Sequence, residues 1–310
     1  MDKDLTMGSE LISIIMPAYN ASAFIKAAIS SVQRQGYKNW ELIVVDDGST
    51  DHTASIVKEL QQDDSRIIYY RQSNQRLGAA RNSGFRLARG AWIAFLDADD
   101  LWMEDKLEAQ IQSIRAQNGN IDVIFTAGYY LRQDKCELAP YNSLRGLYTG
   151  KELYKVLLKH NHIPVLSVLI KRTFCKMVGW QDTLPVVFGN EDWDYWLRAC
   201  KANGTFLGME DRFFKYRVHD NGMSAKAAAM STGACYVVCK NYDKAMLCPE
   251  DQTYHQTKIL KLFPFIAKRA FKTTAQTGRM ALLLIRMIMV TLPLLLKPRT
   301  IFRAFRTENG

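Results

Sequence analysis

The sequence predicts an α/β fold: a mainly parallel central sheet flanked by helices, followed by a helical C-terminal tail. Three observations predict it. Short apolar runs alternate with amphipathic runs at helical spacing over the first 130 residues. Polar, chemistry-bearing residues fall directly after three of those apolar runs, where sites on parallel sheets sit. Beyond residue 250 the charge balance changes abruptly and the chain becomes basic and apolar.

The elements follow in order. Leu11–Met16 (LISIIM) reads as a buried strand, with Tyr19 and Asn20 at its exit. Ser22–Gln35 carries apolar residues at 24, 25, 28, 29 and 32, a helical face. Glu41–Val45 is a strand that runs into Asp46 and Asp47, and a helix follows from about 51 to 60. Ile67–Tyr70 is a strand, Asn74–Ala88 a helix after its first turn, and Ala91–Leu96 a strand that runs into Asp97, Asp99 and Asp100. Leu101–Ile114 reads as a helix with Leu107, Ile111 and Ile114 on one face, and Ile121–Thr126 as a strand. The rhythm then loosens. Lys151–Lys159 and Glu191–Ala202 read as helices, and Val165–Ile170, Thr205–Gly208 and Arg212–Val218 as strands. This β-α-β-α order implies a sheet covered on both faces.

The chain has 310 residues, room for one large α/β domain and an appendage, and its 48% hydrophobic content supports a sizeable core. Its six cysteines form no C-x-x-C pair and read as thiols in a reducing compartment. The opening MDKDLTMGSE lacks an apolar core of the secretory type, so export by that route is not expected. The net charge of +10 is uneven: residues 251–310 hold 11 Lys/Arg against 2 acids, and residues 1–250 hold 30 against 29. An acidic partner would therefore dock on the tail. KILKLFPFIAKRAFK (258–272) interleaves its cations with an apolar face, and no nucleic-acid module is recognisable, so a nucleic-acid partner is not expected. Ala281–Leu296 is 16 residues long and interrupted by Arg286 and Pro293, too short and too charged to span a bilayer. An interfacial helix pair over 258–306, lying on an anionic membrane surface, is the expectation; a tilted or re-entrant insertion and packing on the catalytic domain or a partner are the alternatives.

Four acidic or polar clusters carry the chemistry. FLDADD (95–100) packs three carboxylates into four positions, a repulsion that a bound cation relieves; hard oxygen ligands suit Mn²⁺ or Mg²⁺. VVDDGSTD (44–51) places Asp46 and Asp47 at a strand exit, able to accept from a nucleobase N–H or a ribose hydroxyl. GNEDWDYWLRAC (189–200) puts Glu191 and Asp192 in a first helical turn, where the helix dipole favours the ionised carboxylate that a general base must be. YRVHDNGMS (216–224) offers His219 after a strand-like run. Each taken alone also reads as ordinary helix capping, turn chemistry or a structural histidine. His160 and His162 lack a third ligand nearby and read as a polar helix end.

Together the motifs MPAYN (16–20), VVDDGSTD, NQRLGAARNSGFRLARG (74–90), FLDADD, VGW (178–180), NEDWDYWLR (190–198) and YRVH (216–219) resemble, in order and spacing, family 2 glycosyltransferases of the GT-A fold over roughly residues 11–225. The resemblance implies an inverting transferase that moves a sugar from a nucleoside-diphosphate donor, with UDP the first candidate, to an acceptor hydroxyl. It assigns Pro17, Ala18, Tyr19, Asn20, Asp46, Asp47, Arg81, Asp97 and Ala98 to the donor, and Asp99, Asp97 and His219 to the metal. It assigns Asp192, beside Glu191, to catalysis as the base, and Gly179, Trp180 and Trp193 to the acceptor side. A glycan or lipid-linked acceptor in bacterial polysaccharide assembly would suit a cytoplasmic enzyme peripheral to the inner face of the cell membrane. The implied organisation is an extension over 1–10, a catalytic domain over 11–225 split near 130 into donor and acceptor halves, and a tail over 226–310.

Two departures stand out. Many relatives carry glycine where this chain has Arg76, and the Q-x-x-R-W element and membrane spans of processive synthases are missing, so processive polymerisation is not expected. Among the rivals, a nucleotidyltransferase would need a glycine-rich loop where MPAYNAS stands. A non-catalytic nucleotide-sugar binder or membrane scaffold would carry degenerate acidic motifs, and here these are intact.

Overall fold

The computed structural model describes residues 10–132, 137–219 and 227–270, with isolated positions 285 and 288. The strands are β1 (Ile12–Ala18), β2 (Trp40–Asp46), β3 (Ile67–Arg71), β4 (Trp92–Phe95), β5 (Leu101–Trp102), β6 (Val123–Arg132), β7 (Glu137–Tyr141), β8 (Gly146–Thr149), β9 (Leu169–Lys171) and β10 (Thr205–Val218). The helices are α1 (Ile25–Gln33), α2 (Thr53–Asp63), α3 (Arg76–Leu87), α4 (Lys106–Ala116), α5 (Gly150–Leu157), α6 (Arg172–Val178), α7 (Glu191–Lys201), α8 (Ala227–Asn241) and α9 (Pro249–Ala270).

One sheet runs β3-β2-β1-β4-β9-β6-β10-β5, with β7 on β6 and β8 on β10. The β3-β2-β1-β4 half is parallel, as is the β6–β10 pair. Strand β9 enters between them antiparallel to both neighbours, so the sheet is mixed. β1 is buried along its whole length because both faces are covered. Ile12, Ile14 and Met16 join one core, and Ile15 joins the other. Helix α3 lies directly on β1: a Cβ at Gly84 would stand 2.4 Å from Ile15 Cγ2. That close approach fixes where the polar face of α3 points.

Several elements differ from the sequence reading. Leu101–Trp102 pairs antiparallel with β10, and the helix starts only at Lys106. The apolar spacing that marked a helix begins in earnest at Leu107, and the two residues nearer the acidic turn are claimed by the sheet edge. The strand expected over Val165–Ile170 is a short 3₁₀ turn, Val165–Ser167, followed by β9. The two strands expected over 205–218 are one, β10, with register shifts between Gly208 and Lys215. These irregularities tilt its far end toward the acidic turn.

Among the described residues, helices on both sides of the 225 boundary pack together. Tyr236, Val237 and Cys239 of α8, Leu247, and Ile259 of α9 belong to the same core as α5 and α7. Tyr154 donates to the carbonyl of Asn241 at 2.6 Å, and Lys240 reaches Asp194 at 2.7 Å. The first part of the basic tail is thus helical and packs on the catalytic core. Ala281–Leu296, apart from positions 285 and 288, and the extension over 1–9 lie outside the described residues. Among the described residues no helix is long and apolar enough to cross a membrane.

Candidate active site

The carboxyl ends of β1, β2 and β4 form the floor. The loops leaving β1 and β2 are stitched together: Asn20 N–H donates to Ser49 Oγ, Ala21 N–H to Thr53 Oγ1 and Ser22 N–H to Asp51. Asn20 takes φ +48°, a left-handed turn that asparagine tolerates, and its Oδ1 accepts the Thr50 N–H. Pro17 and Ala18 are buried in this turn, whereas Tyr19 stands out, 55% exposed.

Asp46 and Asp47 do different work. Asp46 is buried and accepts from the Ser49 N–H and the Tyr69 hydroxyl. Burial and this carboxylate push the Tyr69 phenol up to about 12. Each oxygen of Asp46 therefore accepts one bond within the protein, and its carboxylate braces the turn. Asp47 accepts from Gln72 Nε2 (2.7 Å) and from the N–H groups of Gln75 (2.9 Å) and Arg76 (2.7 Å). It thereby caps α3 from a different strand. Arg76 sits at φ +73°, a conformation that favours glycine. The Asp47–Arg76 bond holds the strained residue in place.

Arg81, one and a half turns along α3, is the centre of the site. It is 3% exposed and reaches both oxygens of Asp97, at 2.7 and 3.0 Å. Burial pulls its guanidinium down, but Asp97, then Asp192 and Glu191, outweigh burial and hold it more firmly protonated than usual. One buried cation thus faces carboxylates from two motifs more than ninety residues apart. Gly78 on the same helix lies against Glu191; a Cβ there would stand 3.6 Å from Glu191 Cγ.

Asp99 and Asp100 separate cleanly. Asp99 Oδ2 lies 3.1 Å from His219 Nε2 and remains partly accessible. Burial, then repulsion by Asp97, raises its carboxyl above the usual range despite His219. Asp100 turns inward: it is 1% exposed and accepts the Arg217 N–H at 2.7 Å, while its Oδ2 has no partner. Burial, then Asp99 and Asp97, push it well above the carboxylate range. Its bond to Arg217, with Arg217 Nε on the Asp99 carbonyl (2.8 Å), clamps the end of β10 and brings His219 to Asp99. Phe24 packs on the His219 ring, centroids 5.0 Å apart. Ala98 is buried between the aspartates. Among the described residues no group of three or more His, Cys, Asp and Glu is assembled to hold an ion. Asp99 and His219, a carboxylate and an imidazole, are the donors that would hold a divalent cation; Asp97, also expected at the metal, pairs with Arg81.

Glu191 and Asp192 open α7, as expected. Glu191 is 6% exposed, and burial raises it to about 7 against the pull of Arg81. Asp192 is half-buried; burial raises it too, opposed by Arg81, the Trp193 N–H and Asn161. Its Oδ2 accepts from Asn161 Nδ2 at 3.0 Å. Tyr141 of β7 lies close enough to Asp192 for the carboxylate to help raise its phenol, mostly an effect of burial. Sequence reading missed Asn161, Tyr141 and Arg217. Asn161 stands between His160 and His162 in a loop, and no local pattern marks it.

The three acceptor-side residues do not gather here. Trp193 is 7% exposed, donates its indole N–H to the Leu157 carbonyl at 2.6 Å and faces a cavity beside α8 and α9. The helical period that buries Trp196 and Leu197 buries it as well. Gly179 takes φ +87° as the cap of α6, and Trp180, 52% exposed, meets Phe85 edge-on at 5.4 Å and Arg86 at 5.7 Å. That is the far end of α3 from Arg76, so neither touches the carboxylate cluster.

Comparison with known proteins decides the family. The model of "Glycosyl transferase family 2" matches residues 13–172, about half of the chain. The chain belongs to glycosyl transferase family 2. A relative in Escherichia coli, the UDP-Glc:alpha-D-GlcNAc-diphosphoundecaprenol beta-1,3-glucosyltransferase WfgD, is 39% identical over 71% of this chain and 81% of its own. The putative teichuronic acid biosynthesis glycosyltransferase TuaG of Bacillus subtilis is 33% identical over 71% of this chain and 84% of its own. In fold, the transferase matches S. aureus TarS 1–349 in complex with UDP-GlcNAc, with a TM-score of 0.66, 16% identity, and coverage of 90% of this chain and 81% of that one.

Proposed function

We propose that this glycosyltransferase moves a hexosyl or N-acetylhexosaminyl group from a UDP-sugar to a hydroxyl of a lipid-linked glycan, with inversion at the anomeric carbon. The observation that carries the reading is the Arg81 cluster: one buried guanidinium gathers the D-x-D carboxylate Asp97 and the Glu191–Asp192 pair around one place. Relatives support the substrate class, since WfgD is named for a UDP-glucose donor and a diphosphoundecaprenol-linked acceptor.

The donor occupies the floor formed by the turns after β1 and β2, with its diphosphate toward Asp99. Asp99 and His219 would hold Mn²⁺ or Mg²⁺, which supplies charge neutralisation on the departing diphosphate. Arg81 fixes Asp97 through two hydrogen bonds and keeps a positive charge beneath the reacting centre. Asn161 and the Trp193 N–H orient Asp192 while leaving its carboxylate lone pairs to receive a proton. Burial makes that carboxylate more basic than a solvated one, as a base working near neutral pH requires. Asp192 takes the acceptor's hydroxyl proton as that oxygen attacks the anomeric carbon opposite the diphosphate.

The chain beyond residue 270 carries Lys272, Arg279, Arg286, Lys297, Arg299, Arg303 and Arg306 among apolar residues, a composition suited to the cytoplasmic leaflet, which would keep the enzyme beside such an acceptor. The functional test is a thermal-shift panel of nucleoside diphosphates and UDP-sugars with and without Mn²⁺, followed by transfer to a GlcNAc-diphosphate-lipid. Stabilisation by UDP that strengthens with Mn²⁺, together with transfer, is expected. Indifference to every UDP compound ends the reading.

A further inference from the structure

A cavity of about 290 Å³ opens between the end of α5 and helices α7, α8 and α9. Leu158, Trp193, Val238 and Ile259 make most of its wall apolar, and Lys159 and Lys258 add positive charge. One lining group breaks this pattern. His255 is 1% exposed, and neither of its ring nitrogens has a hydrogen-bond partner. Burial, reinforced by Lys159 and Lys258, pushes it down to about 4, so the ring is neutral and carries one N–H to donate. A buried donor left unmet destabilises a fold, and in a cavity wall it marks the place of a ligand atom.

The cavity wall includes chain neighbours of the proposed base and of the residue that bonds it. Trp193 in its wall follows Asp192 on α7, and His160 precedes Asn161, which donates to Asp192. Lys159 comes from the turn after α5 and Lys258 from α9, and Asp251, 4.0 Å from Lys159, offsets them in part. An apolar pocket with a cationic lining beside a catalytic base is complementary to a molecule with an apolar chain, a polyanionic junction and a sugar beyond it.

We propose that this cavity binds the diphosphate end of an isoprenyl-diphosphate-linked acceptor. The first apolar units lie against Leu158, Val238 and Ile259. The phosphates meet Lys159 and Lys258, and His255 donates to an oxygen where chain meets phosphate. The attached sugar then reaches Asp192. This deepens the lipid-linked acceptor reading and rests on it.

The test uses the full-length protein and farnesyl diphosphate as a soluble probe, titrated by calorimetry, with farnesol, inorganic diphosphate and dihexanoyl phosphatidylglycerol as controls. Farnesyl diphosphate is expected to bind at least tenfold more tightly than any control and to compete with the lipid-linked acceptor but not with the UDP-sugar. Ala234→Trp, which fills the cavity from α8, should abolish this binding while UDP binding is retained. Lys159→Ala with Lys258→Ala, both outside the core, should weaken it about 25-fold, at about fivefold per lysine. Equal binding to Ala234→Trp, or farnesol or phosphatidylglycerol binding as tightly as the diphosphate, overturns the proposal. Transfer to a lipid-linked acceptor is measured in parallel. Transfer without farnesyl diphosphate binding discards the cavity and spares the function; binding without transfer to any lipid-linked acceptor discards the acceptor reading, and the ligand assignment with it.

Discussion

Replacing Glu191 by glutamine should make the protein more stable at pH 8 and leave it almost unchanged near pH 4. Glu191 is 6% exposed at the start of α7, and burial lifts its carboxyl to about 7 from 4.5. A carboxyl raised on folding contributes stability that is fully present below the unfolded value. That contribution is lost as pH rises through the folded value, because the unfolded chain ionises first. The span corresponds to roughly 3 kcal/mol, most of it lost between pH 5 and pH 7. Glutamine keeps the shape and removes the titration. Urea denaturation of both proteins from pH 4 to pH 8 reads the difference directly. For a chain of this size the gain at pH 8 equals a rise in melting temperature on the order of 5–10 °C. A stability difference that does not vary with pH would refute the reasoning, because it would show that Glu191 is not a carboxyl held neutral by burial.

Asp192→Asn should lower turnover by about 10²–10⁴ while UDP affinity changes little. The wild-type rate should fall on acidification around a midpoint above the usual carboxylate range, since only ionised Asp192 accepts the proton; steady-state kinetics across pH checks both. Arg81→Met should destabilise the fold by about 3–5 kcal/mol by leaving Asp97 partly buried and unpaired, and restoring balance with Asp97→Asn should recover part of the loss in a double-mutant cycle. Arg76→Gly should stabilise by about 1 kcal/mol, because it relieves a positive φ while retaining the N–H bonded to Asp47; chemical denaturation measures it. Trp180→Ala should leave the transfer rate within about twofold and cost about 0.5–1.5 kcal/mol of stability from the lost Phe85 contact. A large fall in rate would return Trp180 to the acceptor side.

Much of the site was legible in the chain. The apolar runs at 11–16, 41–45 and 91–96 had to be buried strands, and the aspartates at their exits had to fall on one edge, because parallel strands end together. The α7 start was legible too, since the period that buries Trp196 and Leu197 places Glu191 and Asp192 in the first turn. What the chain left open was which carboxylate faces which neighbour. FLDADD does not say that Asp100 turns inward to hold Arg217 while Asp99 meets His219; β10, with its irregular register, decides that.

The sequence by itself determined the family, the parallel half of the sheet and the places of the acidic motifs at the strand ends and the start of α7, because periodicity and residue type are local properties. The tertiary structure alone decided that Arg81 faces the carboxylates of both the D-x-D and E-D motifs, that Asp46 bonds within the β2 turn, and that a cavity with an unmet histidine opens between α5, α7, α8 and α9. Those are long-range contacts, fixed by how helices α3, α7, α8 and α9 pack, and no short stretch of chain encodes them.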